Sequence, residues 1–226
     1  TSDKVYKNLE INRGYREDDE LGGTDPYSAS KAAAELVIQS YIKSFFSNKN
    51  CKKFIAIARA GNVIGGGDWS KDRLIPDCAK FWSKGKVVKI RNPYSTRPWQ
   101  HVMEAVNGYL ILAKKLNLNK KLHGQAFNFG PKKNNNFDVT TVIELIKKKW
   151  PNFKWEKRIL KNKNLKESKL LKLNSIKAKN LLDWECALSF KETISLVSEW
   201  YSEFYKKKNI LSFDQLKFYE RKIKNK

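Results

Sequence analysis

The sequence predicts an α/β protein with a mainly parallel sheet. Short apolar runs of strand length alternate with longer segments in which apolar residues recur at helical spacing. Because strands that are each followed by a helix normally pair in parallel, this alternation favours an α/β fold over an all-α or all-β fold. With 226 residues, of which 41% are hydrophobic and 12% aromatic, the chain can form one large domain or one domain with a small lobe.

The first helix is expected over residues 26–46. Pro26 follows Asp25, a favourable N-cap residue, and apolar residues then recur at helical spacing: Ala32, Ala33, Leu36, Val37, Tyr41 and Phe45. The next apolar run, residues 54–58, is bounded by lysines and a glycine-rich loop. It predicts a buried strand.

Further strands are expected at residues 87–90 and 126–129. The helices expected after the first lie at 76–84, 103–116, 139–150 after the cap Asp138, 175–182, and 190–206 after the cap Ser189. The last of these carries a stripe typical of core packing, formed by Phe190, Ile194, Val197, Tyr201 and Phe204. Residues 209–226 mix apolar residues with lysines and predict a loosely docked helix.

The chain is strongly basic, with a net charge of +23 that lies mainly after residue 112. Such a charge suggests nucleic acid, a membrane surface or a phosphate-bearing substrate as a partner. Lysine supplies most of this charge, and no zinc-finger, RRM-like or basic-zipper pattern occurs. We therefore expect a solvated basic face, with no nucleic-acid and no membrane partner.

Cysteine and histidine are too sparse for a disulfide framework or a zinc site. The three cysteines, Cys51, Cys78 and Cys186, are far apart, and His101 and His123 are the two histidines. We expect buried or incidental thiols and no metal. No apolar run approaches the roughly 18 residues of a membrane span, and the first residues lack the apolar core of a signal peptide, so a cytoplasmic location is expected.

Tyr27 and Lys31 form a Y-x-x-x-K pattern on the first predicted helix. This spacing places both side chains on one helix face, about one turn apart. A phenol is too weakly acidic to serve as a base at neutral pH, but an adjacent ammonium group favours the phenolate. The pair can therefore transfer protons, although two exposed helix residues are the alternative when the pattern stands alone.

Longer motifs surround this pair. Residues 27–35 read Tyr-Ser-Ala-Ser-Lys-Ala-Ala-Ala-Glu, residues 1–6 read Thr-Ser-Asp-Lys-Val-Tyr, and residues 59–69 read Arg-Ala-Gly-Asn-Val-Ile-Gly-Gly-Gly-Asp-Trp. In these motifs the chain resembles the extended short-chain dehydrogenase/reductase family, and within it the CDP-glucose 4,6-dehydratases. The likeness extends to about residue 205 through residues 72–77, 97–102 and 127–131, Glu167 and residues 171–178.

The resemblance implies a reaction that uses NAD. Tyr27 would take the proton of the glucose 4-hydroxyl while C4 passes hydride to NAD, and Lys31 would hold the nicotinamide ribose. Ser2 matches the residue that hydrogen-bonds the 4-oxygen, and Asp3 matches the acid that protonates the departing 6-hydroxyl. Lys4 occupies the position of the C5 base, where dTDP-glucose dehydratases typically carry Glu. In isolation, residues 1–4 would be interpreted as a polar strand end.

The resemblance also places Asn62, Arg73 and Arg97 near the sugar nucleotide, where guanidinium groups suit diphosphate oxygens. His101 is a further candidate for the nucleotide pocket, with simple packing as the alternative. Arg59 is either a substrate ligand or a structural residue. Residues 65–67, Gly-Gly-Gly, lack the P-loop Lys-Ser/Thr and predict a flexible turn at the pocket edge.

The fold implied by the resemblance is a Rossmann-like doubly wound parallel sheet with a smaller C-terminal α/β substrate-binding lobe. The sequence has no G-x-G-x-x-G turn between a strand and a helix. We therefore expect a fragment that lacks the N-terminal dinucleotide-binding half. Residues 1–62 would complete the Rossmann domain, 63–205 would form the substrate-binding lobe and the remaining Rossmann elements, and 206–226 would form a basic tail.

The expected function is NAD-dependent dehydration of CDP-glucose to CDP-4-keto-6-deoxyglucose for surface-polysaccharide sugars, with a possible homodimer in the intact protein. Another sugar-nucleotide dehydratase or epimerase of the same family is one alternative. A non-catalytic nucleotide-sugar-binding remnant is another, and a basic nucleic-acid-binding protein is the last.

Overall fold

The computed structural model of the protein describes residues 1–48, 50–132, 137–158 and 170–225. Its helices are α1 Pro26–Tyr41, α2 Leu74–Trp82, α3 Val102–Leu118, α4 Val139–Lys147, α5 Ile176–Leu182, α6 Phe190–Lys207 and α7 Ser212–Lys224. Its strands are β1 Ile57–Ala60, β2 Val63–Ile64, β3 Val88–Ile90, β4 Thr96–Arg97, β5 Gln100–His101, β6 Ala126–Phe129, β7 Phe137–Asp138 and β8 Trp155–Lys157. Glu167 lies outside the described residues.

Parallel strand pairing dominates the described part of the chain, as the sequence predicts. β1 pairs with β6, β2 with β5, and β3 with β8, all in parallel, while β4 and β7 are antiparallel. A parallel bridge from Ser2 to Ala60 places the start of the chain beside the carboxyl end of β1. In parallel α/β sheets this edge is where ligands bind.

The first helix confirms the sequence prediction. Asp25 caps α1 by accepting a hydrogen bond from the Ser28 amide, and one π-helical turn, Ile42–Phe46, continues the helix to the expected end. Its buried face differs from the apolar stripe, however. Four residues of that stripe lie more than half exposed, namely Leu36, Val37, Tyr41 and Phe45, whereas Glu35 is buried.

The strand predicted at residues 54–58 is displaced and begins only at Ile57. It continues through Arg59 and Ala60 because the arginine is buried and its charge is neutralised inside the protein. Hydropathy places a strand boundary at such a charge, so the prediction ended too early.

The remaining predicted strands and helices are present within a few residues of their expected bounds. The tail forms the expected helix, α7, but it is firmly docked rather than loose. The Tyr219 hydroxyl donates to buried Glu104 at 2.7 Å, and Gln215 donates to the Leu196 carbonyl at 2.8 Å. Lys222 pairs with Glu192 at 2.7 Å. These polar contacts to α3 and α6 do not show in the helical pattern of the tail itself.

The core forms two main clusters. One joins α2, α4 and α6 around Trp150 and Trp200, and includes Phe190, Ile194, Val197 and Tyr201 of the predicted stripe, with Phe204 packed against it. The other lies between β6, α3 and α5 around Phe127, Phe129 and Trp184. Cys78 and Cys186 are buried, Cys51 is half-buried, and all three are free thiols. The division at residues 62 and 205 stays a prediction.

A buried ion pair connects α1 to the sheet. Arg59 of β1 donates hydrogen bonds of 2.5 to 3.0 Å to the Glu35 carboxylate of α1. Its remaining terminal nitrogen donates to the Tyr6 hydroxyl at 2.8 Å and to the Glu17 carbonyl at 3.0 Å. Tyr6 in turn donates to Asn128 of β6 at 2.7 Å. Arg59 therefore has a structural role, one of its two predicted alternatives.

We expect Glu35→Ala to destabilise the protein by about 3–5 kcal/mol, because it leaves the Arg59 guanidinium buried without its carboxylate. Urea unfolding measures this loss. Glu144→Ala, which removes an exposed partner of Lys147 on α4, is the control and should leave the unfolding midpoint nearly unchanged. Equal losses in the two variants would contradict a structural role for the buried pair.

Candidate active site

Tyr27 and Lys31 lie together near the start of α1. The Lys31 ammonium is 5.4 Å from the centroid of the Tyr27 ring. The side chain of Tyr27 is 55% exposed, and its hydroxyl has no hydrogen-bond partner in the described parts of the chain. The two groups are therefore adjacent, and the phenol is available to a ligand.

Ser2, Asp3 and Lys4 form a compact turn against which α1 packs. The Ser2 hydroxyl donates to the Asp3 carboxylate at 3.0 Å and accepts from the Lys4 amide at 3.2 Å. Hydrogen bonds from Ser28 lower the pKa of Asp25, and the positive charge of Lys4 adds to this shift. The turn is thus placed close to the N-terminus of the helix that carries Tyr27.

Asp3 is a buried acid with unused hydrogen-bonding capacity. Its side chain is 3% exposed, and its Oδ2 atom has no partner among the residues described. Burial raises the pKa of Asp3, while the charge of Lys4, the Ser2 hydrogen bond and the charge of Arg97 oppose the shift. This environment favours the protonated carboxyl, the form that can donate a proton.

A cavity of about 330 Å³ is lined by a second set of residues, which does not include Asp3, Tyr27 or Lys31. Three residues predicted to bind the sugar nucleotide line its wall: Asn62, Arg73 and Arg97. Asn62 is fixed through its carbonyl, which accepts from the Gln100 amide at 3.0 Å. Arg73 lies exposed on the rim, 3.7 Å from Asp68.

Arg97 links the cavity to the Ser2–Lys4 turn. It is 6% exposed, donates to the Thr96 carbonyl at 2.8 Å, and acts electrostatically on Asp3. The predicted catalytic acid and the predicted phosphate-binding arginine are therefore close enough to influence each other.

Sequence reasoning missed three cationic residues of the cavity: Lys89, Arg91 and Arg158. They come from the paired strands β3 and β8 or directly follow them. Arg91 could have been found, because it follows a correctly predicted strand. Arg158 follows β8, which has no strong strand pattern, so its approach to the cavity depends on the tertiary pairing.

His101 lies apart from these residues. It does not line the cavity, is 1% exposed, and its Nδ1 accepts from the Met103 amide at 3.3 Å at the start of α3. Burial lowers the pKa of His101 to about 4. This geometry favours the packing alternative, while its predicted role in substrate binding stays a prediction.

The glycine turn is at the edge of the cavity as predicted, with Gly65 in its wall. At Gly66, close packing explains the need for glycine better than backbone flexibility does. A Cβ atom added at Gly66 would lie 2.1 Å from the Trp200 ring, so only glycine fits there without displacing the tryptophan.

Within residues 1–48, 50–132, 137–158 and 170–225, no cluster of three or more His, Cys, Asp or Glu side chains is arranged to hold a metal ion. The helices of these ranges are also too short or too polar to cross a membrane.

Known proteins share this fold and much of this sequence. The sequence profile of the family described as GDP-mannose 4,6 dehydratase matches residues 1–197. CDP-glucose 4,6-dehydratase of Salmonella typhimurium is 39% identical over 216 residues, which cover 93% of this chain and 59% of the relative. Human dTDP-D-glucose 4,6-dehydratase is 26% identical over 93% of this chain and 57% of its own.

Solved structures agree on the architecture. The dTDP-glucose 4,6-dehydratase of Bacillus anthracis, in complex with NAD, superimposes with a TM-score of 0.72 at 22% identity, over 90% of this chain and 60% of that chain. UDP-glucuronic acid 4-epimerase of Bacillus cereus gives 0.75 at 20% identity, over 91% and 60%. These likenesses confirm the predicted fold class, and the chain spans about three fifths of the length of these relatives. Since the profile match covers most of the chain, the resemblance seen in the sequence is confirmed, and the chain belongs to the GDP-mannose 4,6-dehydratase family.

Proposed function

We propose that this chain is the catalytic and sugar-nucleotide-binding part of an NAD-dependent CDP-glucose 4,6-dehydratase, which forms CDP-4-keto-6-deoxyglucose. The observation that carries the proposal is the buried acid Asp3, whose Oδ2 is unpartnered in the described chain and which feels the charge of Arg97, an arginine of the cavity wall. The identity to the Salmonella relative favours cytidine as the base.

The charges of the cavity suit a sugar nucleotide. Five cationic side chains line it, Arg73, Lys89, Arg91, Arg97 and Arg158, together with three aspartates, Asp68, Asp72 and Asp77. The excess of two positive charges complements a diphosphate, and guanidinium groups can bind its oxygens in pairs.

Tyr27 and Lys31 fit the nicotinamide ribose of NAD. An ammonium group and an exposed phenol, 5.4 Å from nitrogen to ring centroid, offer donors and an acceptor to ribose hydroxyls. Bound NAD would supply the hydride chemistry, by accepting hydride from C4 of glucose and returning it to C6.

The protein would supply the proton transfers. Tyr27 takes the proton of the 4-hydroxyl, and Lys31, whose ammonium lies 5.4 Å from the Tyr27 ring centroid, holds the nicotinamide ribose. Ser2 hydrogen-bonds the 4-oxygen once its hydroxyl turns from Asp3 to the substrate. After oxidation, the 4-ketone acidifies the C5 proton, and Asp3 protonates the departing 6-hydroxyl.

Lys4 is assigned to the C5 proton. An amine serves as a base only where burial or neighbouring positive charge lowers its pKa, so the role of Lys4 depends on desolvation by the bound sugar.

A nucleotide-sugar-binding module without catalysis is the alternative, and it would use the same cavity and its five cationic side chains. We also propose that the product is used for surface-polysaccharide synthesis. A cytoplasmic location, a homodimer of the intact protein and the lack of nucleic-acid binding stay predictions.

The 226-residue chain should bind CDP, and Arg91→Ala and Arg158→Ala should each weaken this binding about 10-fold by removing a charge-assisted phosphate contact. Isothermal titration calorimetry at low salt measures the dissociation constants. Arg221→Ala removes an exposed guanidinium from α7 and serves as the control. Unchanged binding in both cavity variants would place the diphosphate away from β3 and β8.

The activity is testable in a chimaeric protein that carries the N-terminal region of the Salmonella relative ahead of this chain. It should convert CDP-glucose to the 4-keto-6-deoxy product, as followed by NMR, and Tyr27→Phe should lower kcat by at least ~10². A preference for dTDP-glucose would refute the cytidine assignment. Epimerisation alone would refute the dehydratase assignment, and binding without turnover would favour the non-catalytic alternative.

Asp3→Asn should raise the free energy of unfolding at pH 7, because burial raises the pKa of Asp3 and its ionised form therefore destabilises the fold. The wild-type chain loses stability as pH rises from the ordinary aspartate pKa, near ~3.9, to the raised folded value. The advantage of the variant should therefore shrink towards pH 4 in urea unfolding.

Asp25→Asn is the matched control of opposite sign. The Ser28 hydrogen bonds lower the pKa of Asp25, so its charged form stabilises the fold above the unfolded pKa. Asparagine keeps an N-cap, yet this variant should be less stable than wild type at pH 7. A loss of stability in Asp3→Asn as well would show that burial does not penalise the Asp3 charge.

A further inference from the structure

The loop between β2 and α2, residues 65–73, has one side in the cavity and the other on α6. Gly65, Asp68, Asp72 and Arg73 line the cavity. Trp69, in the same loop, meets four aromatic rings of α6, at centroid distances of 6.0 Å to Trp200, 5.6 Å to Tyr201, 4.9 Å to Phe204 and 6.0 Å to Tyr205.

The loop backbone is also fixed to this aromatic surface. The Tyr201 hydroxyl donates to the Asp68 carbonyl at 2.7 Å. Gly66 lies against the Trp200 ring, and Gly67 takes a positive φ of 79° that other residues rarely adopt. Contacts to α6 therefore select one conformation of a loop whose glycines would otherwise allow many.

Asp68 connects the loop conformation that α6 selects to the cavity. Its carbonyl is held by Tyr201, and its carboxylate lies 3.7 Å from the Arg73 guanidinium. The surface beneath the loop is itself held by α7, because the Trp200 indole donates to Ser212 at 2.9 Å. A continuous set of contacts thus runs from α7 through α6 to an arginine of the cavity.

We propose that Trp69 is a positioning residue for substrate binding, which holds the loop on α6 so that Arg73 faces the diphosphate. The proposal rests on the proposed sugar-nucleotide function. Trp69 is 51% exposed, so its four ring contacts do not serve to fill the buried core. Its loss should free the loop while the core beneath stays packed.

Two variants of Trp69 separate positioning from general stability. In the 226-residue chain, Trp69→Ala should weaken CDP binding about 10-fold by calorimetry. It should also increase amide hydrogen exchange in residues 66–73 without increasing it in β3 and β8. Trp69→Phe keeps an aromatic ring and should recover most of the affinity and protection. Phe213→Ala, at an exposed ring on α7, is the control and should change neither measurement.

Tyr201→Phe tests the same set of contacts without removing a ring. It deletes only the hydrogen bond to Asp68 and should weaken CDP binding about threefold to tenfold, with increased exchange confined to the loop. Unchanged exchange in residues 66–73 of Trp69→Ala would overturn the proposal, as would unchanged CDP affinity in both variants. A wild-type chain that fails to bind CDP would refute the proposed function instead, and the exchange of the ligand-free loop would still decide whether Trp69 holds it.

Discussion

The buried pair of Arg59 and Glu35 fixes the element on which the candidate chemistry depends. Glu35 lies two turns along α1 from Tyr27, about 12 Å along the helix axis, so anchoring the glutamate to β1 also sets where the phenol emerges. Charges this deeply buried destabilise a fold unless they are paired and hydrogen-bonded. Arg59 meets that condition, because each of its three side-chain nitrogens donates to Glu35, the Tyr6 hydroxyl or the Glu17 carbonyl. The same network reaches Asn128 of β6, and thereby joins α1, the first turn of the chain and the β1–β6 strand pair.

The local patterns were predictable from sequence, while the long-range contacts were not. The cap at Asp25 and the Tyr27–Lys31 spacing depend on neighbouring residues alone, and both are as expected. The predicted bounds of strand β1 were wrong because its arginine is neutralised by a residue 24 positions away in the sequence. Arg158 reaches the cavity because β3 pairs with β8. The sequence of neither strand indicates that pairing. Asn62, Arg73 and Arg97 were predicted through family resemblance, since their spacing carries no independent signal, and all three line the cavity.

Opposite electrostatic conditions occur within one short region of the site. Burial raises the pKa of Asp3, whereas the cavity that Arg97 lines carries more cationic than anionic side chains. Nearby cations would ordinarily lower the pKa of a carboxyl. Here burial outweighs the charges of Lys4 and Arg97. In the proposed function, an acid whose pKa is raised by burial would donate the proton, while the cationic cavity would bind the diphosphate.

Two independent supports hold the two halves of this site. The Arg59 network positions Tyr27 and the Ser2–Lys4 turn, whereas the aromatic face of α6, fixed by α7, positions the loop that carries Arg73. Arg97 lines the cavity, and its charge also acts on Asp3. A substrate whose diphosphate binds in the cavity would therefore have its sugar placed at Tyr27 and the Ser2–Lys4 turn only if both supports are intact. Proteins that lost either support would bind or react poorly while keeping every predicted catalytic residue, because the distance between the two halves is set by packing far from the chemistry.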